Sequence, residues 1–175
     1  STLKIYGAGA SRAARAIWMA KELGLDYEHE PIDFRNHGTE TPEYLRINPN
    51  GRIPTLQDGA LTLYESMAIN LYLARRYGAE HGFWPDSPAT EGLTWQWSFW
   101  VMTEVEQALL TVLMHSRVLD ESKREPDKVK RNLGVLKRPL AALDDALNGQ
   151  EYLVDQRFTV ADLNVAAVLS WCKPA

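Results

Sequence analysis

Hydrophobic and polar positions alternate in short runs near the start of the chain and settle into helical spacing further on. Leu3 to Tyr6 alternates as a short strand. Ala13, Ile17, Ala20 and Leu23 then share one helical face, and Gly24 stops that helix. Tyr27 to Ile32 reads as a second strand, so the opening unit is βαβ with a parallel pair. Thr41-Pro42 supplies an N-cap and a proline at the first helical position, starting a short helix through Ile47. Thr55 to Gln57 and Leu61 to Leu63 flank Asp58-Gly59, a hairpin turn signal. A helix from about Glu65 to Tyr77 closes the unit, with Gly78 past its end.

Residues 78–88, GAEHGFWPDSP, hold two glycines and two prolines with no periodicity, which predicts a linker. Beyond it the strand signals stop. Helical patterns run from about Ala89 to His115 and from about Asp127 to Leu147. A third opens at FTVADLNVAAVLSW, where Thr159 is the N-cap and Asp162 completes a capping box. Phe158 is placed to staple onto Leu163. The expected organisation is therefore an α/β domain over 1–77 (βαβ, then ββα), a linker over 78–88, and an all-α domain over 89–175.

Composition narrows the function classes. A formal net charge of -4 over 175 residues argues against nucleic acid or an anionic membrane as the main partner. The one cysteine, Cys172, allows neither an internal disulfide nor a cysteine-rich metal site. No apolar run approaches the ~20 residues that span a bilayer, and no charged-then-apolar signal pattern opens the chain. A cytoplasmic protein without a metal is the expectation.

Three stretches carry candidate chemistry. YGAGASRAARAIW, residues 6–18, puts glycines before a helix but lacks the Lys-Ser/Thr of a P-loop and the third glycine of a dinucleotide fingerprint. Ser11 lies in that turn, where unpaired first-turn N–H groups favour an anion. It either caps the helix or donates to a ligand. No G-x-S-x-G elbow surrounds it, so it reads as a donor and not a nucleophile. NPNGRIPTL, residues 48–56, opens a strand with Pro54. The stretch is a plain loop, or a cis Ile53-Pro54 bond leaves the Ile53 N–H and C=O free for an extended ligand, as in strand addition. YESMAINLYL, residues 64–73, sets Glu65 and Ser66 at a second helix start. There the pair either complements the helix dipole or holds the ammonium and carboxylate of an amino-acid zwitterion.

Ser11 after Tyr6, the N-P-x-G-x-x-P run ending in Pro54, the Glu65-Ser66 pair and the later T-V-A-D box together resemble the cytosolic glutathione transferases, over essentially the whole chain. The resemblance implies a thioredoxin-like first domain, a helical second one, glutathione as co-substrate and a homodimer. Ser11 would donate to the glutathione sulfur, as in serine-type classes such as theta; the flanking Y-x-x-G-A also resembles the bacterial beta class, which has cysteine at this position. Tyr6 is the rival thiol activator, or simply packs under the loop. Ile53 would pair with the cysteinyl part, with Pro54 cis, while Glu65 and Ser66 hold the γ-glutamyl end. Arg52 would approach the glycyl carboxylate, with His37 a looser candidate for that end. Arg12 would add positive potential or remain a solvated helix residue, and Arg15 would pair within the fold.

Trp95, Trp97, Trp100 and Met102 form a stripe that reads as packing or pocket. One of Trp100, Thr103 or Glu104 is expected to face a small electrophile or a partner subunit. Relatives usually run further, so the helical domain is expected to be incomplete at its C-terminal end. Conjugation of glutathione to electrophiles, in detoxification, is the leading expectation. Glutathione-dependent disulfide or peroxide reduction and a non-catalytic binding module are the alternatives. Retention of Ser11, Arg52, Glu65 and Ser66 together favours the enzyme.

Overall fold

The computed structural model describes residues 3–173, in two compact units that meet between Trp84 and Pro85. The first holds a four-stranded sheet of order β2-β1-β3-β4. Its strands are β1 (Leu3–Tyr6), β2 (Tyr27–Glu30), β3 (Thr55–Asp58) and β4 (Leu61–Tyr64). β1 pairs in parallel with β2 (Leu3 opposite Tyr27) and antiparallel with β3 (Ile5 opposite Leu56), and β3 pairs antiparallel with β4. Helix α1 (Ala13–Glu22) is the crossover between the parallel strands, α2 (Pro42–Ile47) precedes β3, and α3 (Ser66–Tyr77) follows β4. α1 and α3 pack on each other and on the sheet. This is a thioredoxin-like domain, with Ile5, Met19, Leu56, Ile69 and Leu73 at its core.

Local chemistry explains most boundaries. Thr41 Oγ1 accepts from Tyr44 N–H at the start of α2, with Pro42 at the first helical position. Gly24, at φ +62°, ends α1 with a Leu25 N–H to Ala20 C=O bond of 2.9 Å, the Schellman arrangement. Four expectations need correction. β2 stops at Glu30 rather than Ile32, because Pro31 has no N–H to continue a ladder. The hairpin loop is Gly59-Ala60, one residue later than expected: Asp58 pairs with Leu61 and is held in the strand by the hydroxyls of Tyr72 and Tyr77. The buried face of α1 is Ala13, Arg15, Ala16, Met19 and Ala20, with Ile17 and Leu23 only half-buried. Small alanines allow close packing there, and Arg15 is buried because its Nη1 donates to Ser66 Oγ (3.2 Å).

The fourth correction concerns the linker, whose first part folds onto the first unit. Trp84 is buried with the Arg75 guanidinium over its ring, and Phe83 N–H donates to Gly78 C=O. The glycines and prolines masked that apolar anchor.

The second unit is helical: α4 (Pro88–Trp100), α5 (Gln107–Leu113), α6 (Pro126–Ala146) and α7 (Val160–Leu169). The long helical course expected from Ala89 is interrupted by a π-helical stretch at Val101–Glu106 and ends in a second one at Met114–Val118. α7 is apolar nearly all round, and packs on α4 with Val160, Leu163 and Val168 fully buried. Its capping box is formed: Thr159 Oγ1 accepts from Ala161 N–H, and Asp162 Oδ2 accepts from Thr159 N–H. No helix among the described residues is long and apolar enough to cross a membrane.

Candidate functional site

The first unit contains a cleft of about 470 Å³, within the size range of small-molecule sites. Ser11 and Arg12 form one wall, Phe34, Thr39, Glu40 and Leu45 another, and Asn50, Gly51, Arg52 and Ile53 the third. Apart from Leu45 in α2, the lining residues lie in loops and short turns or just before α1.

The Ser11 wall depends on Gly7. Gly7 sits at φ +141°, and a Cβ there would lie 2.5 Å from Ala13 Cβ and 3.3 Å from Ile53 Cβ. Only glycine lets the loop, α1 and the Ile53 segment meet this closely. From β2, the Nε2–H of His29 donates to the Gly7 carbonyl (2.6 Å), fixing the same loop. Ser11 Oγ accepts from Ala13 N–H (3.1 Å) and its own O–H donates to the Ala8 carbonyl (2.6 Å). Thus Ser11 satisfies a first-turn donor of α1 and also faces the cleft; the two readings of this residue are compatible.

The Ile53 wall turns on a cis Ile53–Pro54 bond and a positive φ of +59° at Gly51. A Cβ on Gly51 would press to 3.1 Å from the Thr39 carbonyl. Behind this wall lies a buried polar network. Tyr44 Oη donates to the Arg52 carbonyl (2.7 Å) and lies 2.8 Å from Thr55 Oγ1. Asn48 Nδ2 donates to the Arg52 carbonyl (2.9 Å) and to Thr55 Oγ1 (3.1 Å), while Asn48 Oδ1 accepts from Asn50 N–H (3.0 Å). Burial pushes the Tyr44 hydroxyl above its ordinary pKa, with its hydrogen bond to Thr55 and the nearby Asn48 amide opposing. Neither the N–H nor the C=O of Ile53 has a backbone partner among the described residues.

Of the residues singled out in the sequence, the cleft brings together Ser11, Arg12, Arg52 and Ile53. The rest are placed elsewhere. Tyr6 is buried at the end of β1, and its hydroxyl donates to Gln57 Oε1 (2.7 Å). His37 is an exposed left-handed residue whose Nδ1 pairs with Glu40 (2.9 Å), so it does not line the cleft. Glu65 and Ser66 start α3 outside the lining: Glu65 is exposed at φ +73°, and Ser66 is buried on Arg15. In the second unit, the Trp100 ring stands edge-on to Trp97 (4.9 Å), Thr103 Oγ1 donates to the Phe99 carbonyl, and Glu104 is exposed. The stripe is therefore split, with Trp97 buried and Trp95 45% exposed.

Sequence reading missed Phe34, Thr39, Glu40, Tyr44 and Leu45, and met Gly7 only as part of a glycine-bearing loop. Only Gly7 carried a signal, a glycine directly after a strand; the others sit at unremarkable spacings. The lining carries two arginines, Arg12 and Arg52, and one carboxylate residue, Glu40. Among the described residues no group of three or more His, Cys, Asp or Glu could hold a metal ion.

Residues 1–75 match the glutathione S-transferase N-terminal domain and residues 101–174 the glutathione S-transferase C-terminal domain. Glutathione S-transferase 1 of Schizosaccharomyces pombe is 31% identical, over 90% of this chain and 68% of that protein. Glutathione S-transferase D7 of Drosophila melanogaster is also 31% identical, over 96% of this chain and 74% of that protein. The theta class glutathione S-transferase from Xanthomonas axonopodis pv. citri, solved with glutathione bound, superposes with a TM-score of 0.90 at 32% identity, covering 98% of this chain and 83% of that one. Matched in both of its units and along nearly all of its length, the chain belongs to the glutathione S-transferase family.

Proposed function

We propose that this glutathione transferase seats glutathione in the Ser11–Ile53 cleft and activates its thiol through the Ser11 hydroxyl, in the manner of a serine-type, theta-like enzyme. The observation that carries the reading is the convergence of Ser11, Arg12, Arg52 and Ile53 on one cleft, from segments about forty residues apart. In this arrangement Ile53 offers its backbone to the cysteinyl part and Arg52 meets the glycyl carboxylate. Glu65 and Ser66, at the start of α3 beyond the cleft lining, hold the γ-glutamyl end. The positive φ of Glu65, which costs about 1–3 kcal/mol at a non-glycine residue, supports a functional constraint there.

The energetics suffice. A thiol of pKa ~8.5 lowered by about two units requires roughly 2.7 kcal/mol of thiolate stabilisation. One hydroxyl donor to a charged acceptor contributes about 1.5–3 kcal/mol and a helix N-terminus about 0.3–1 kcal/mol. Swinging the Ser11 O–H from the Ala8 carbonyl to sulfur forfeits about 0.5–1.5 kcal/mol, which Arg12 at the cleft wall helps to offset. Ser11 Oγ continues to accept from Ala13 N–H throughout. The serine stays neutral and acts as an electrostatic stabiliser.

The thiolate then attacks a small electrophile, with Trp100, Thr103 and Glu104 proposed as electrophile or partner-subunit contacts. We read the protein as a cytoplasmic homodimer acting in detoxification; light scattering in solution tests the dimer. The central test is Ser11→Ala with a chloronitroaromatic co-substrate. Glutathione affinity by calorimetry should change by no more than a few-fold. kcat/KM should fall about 10- to 100-fold, with its pH profile shifted upward by about one to two units. Unchanged turnover and an unchanged profile would reject the thiolate role.

A further inference from the structure

The donor that Ile53 presents is aimed by side chains behind the cleft wall. Tyr44 and Thr55 each carry one hydroxyl proton. The Tyr44 proton goes to the Arg52 carbonyl, so Thr55 supplies the proton in the 2.8 Å contact between the two hydroxyls. Thr55 in turn accepts from one Nδ2 proton of Asn48, and the other Nδ2 proton goes to Arg52. Each group has a single assignment, and the bonds run one way, from Asn48 through Thr55 and Tyr44 to the Arg52 carbonyl. Bonds in such a row polarise one another. The network is dry: Tyr44 is 3% exposed, and Asn48 and Thr55 are 0% exposed.

The peptide joining Arg52 to Ile53 is trans, the cis bond being the next one. In a trans peptide the C=O and N–H point in opposite directions. Two donors hold the Arg52 carbonyl in the buried network, so the Ile53 N–H points away from it, on a residue that lines the cleft. We propose that Tyr44, Asn48 and Thr55 are positioning residues that lock this peptide plane, so that the Ile53 N–H stands ready for the main-chain carbonyl of the bound cysteinyl residue. The raised Tyr44 pKa keeps its hydroxyl a donor throughout the neutral range. The inference rests on the glutathione reading above and extends it to residues that touch no ligand.

The test pairs calorimetry with steady-state kinetics on the full chain. Tyr44→Phe keeps the ring, which stands 6.1 Å from that of Tyr6, and removes only the hydroxyl. The glutathione Kd and KM should rise about 3- to 10-fold while kcat stays within about twofold. The loss should shrink for a glutathione analogue whose cysteinyl–glycyl amide is replaced by an ester, because that carbonyl is already a weaker acceptor. Thr55→Val should reproduce the effect and Thr55→Ser, retaining the hydroxyl, should restore the wild-type Kd; this pair decides the matter if Tyr44→Phe fails to fold. A wild-type chain that does not bind glutathione overturns the site reading and this inference together. If the wild type binds but folded variants bind equally well, or lose equal affinity for both ligands, the positioning role alone is overturned.

Discussion

The two units of this chain bury polar groups with different balances of distant and local bonds. In the first, buried or half-buried side chains join segments far apart in sequence: Tyr6 with Gln57, Arg15 with Ser66, Asp58 with Tyr72 and Tyr77. In the second, the hydroxyls of Thr94, Ser98, Thr103 and Thr111 each donate back to the carbonyl four residues earlier in the same helix. Asn164 Nδ2 to Ser98 Oγ (3.0 Å) is a bond between helices there. Back-bonded Ser and Thr compete for helical carbonyls and bend helices. Thr94 and Ser98 precede the Val101–Glu106 π-helical stretch, Thr103 lies within it and Thr111 follows it. The difference teaches where function can reside. Non-local polar ties hold loops at fixed mutual positions, which a binding cleft needs; the helical unit adds a few distant ties, such as Arg157 to Asp86 (2.8 Å), to local bonds and apolar packing.

The sharpest way to break the contrast is Gly7→Ala. The new Cβ meets Ala13 Cβ at 2.5 Å in a backbone conformation with φ +141°. Strain and overpacking together should cost about 3 kcal/mol, read as a lower denaturant midpoint, and the same change should abolish most glutathione binding. Stability and site should fail together.

Asp162→Ala tests the opposite unit. Its carboxylate accepts from Leu153 N–H (2.8 Å) and Thr159 N–H (2.9 Å). Losing both should destabilise the protein by about 2 kcal/mol in thermal unfolding, with the glutathione Kd measured at low temperature unchanged. A weakened Kd in the folded variant would contradict a purely structural role for this box.

The smallest effect is expected at Asp58. Its carboxyl is held below the ordinary value chiefly by the Tyr77 hydroxyl, with burial opposing and Tyr72 assisting. Tyr77 itself is pushed up to about 12 by burial and by its bond to Asp58. The depressed acid contributes stability above the ordinary carboxylate value of about 4, lost as pH falls through its folded value. The raised phenol contributes below about pH 10, lost as pH rises through 12. Solvent screening limits each arm to a few tenths of a kcal/mol. Tyr77→Phe should flatten the alkaline arm of a plot of melting temperature against pH, and should weaken the acid arm.

The sequence by itself determined the order of elements, the change from mixed α/β to helical character, and the caps at Thr41 and Thr159. These rest on periodicity and on bonds between residues two to four apart, which a single stretch contains in full. Helix-start and proline chemistry also marked Ser11 and Ile53 as candidates, whereas Arg52 entered only through the family resemblance. Tertiary structure alone decided which candidates share a cleft, that Tyr6 is committed to Gln57, and that His37 turns outward to Glu40. It also decided that Arg15 is core, that Trp84 anchors the supposed linker, and that Tyr44 and Thr55 stand behind the Ile53 wall. In each of these the deciding partner lies in a different element or loop, or is a fold of the chain itself, and no periodic pattern encodes which side chains such a fold brings within hydrogen-bond reach.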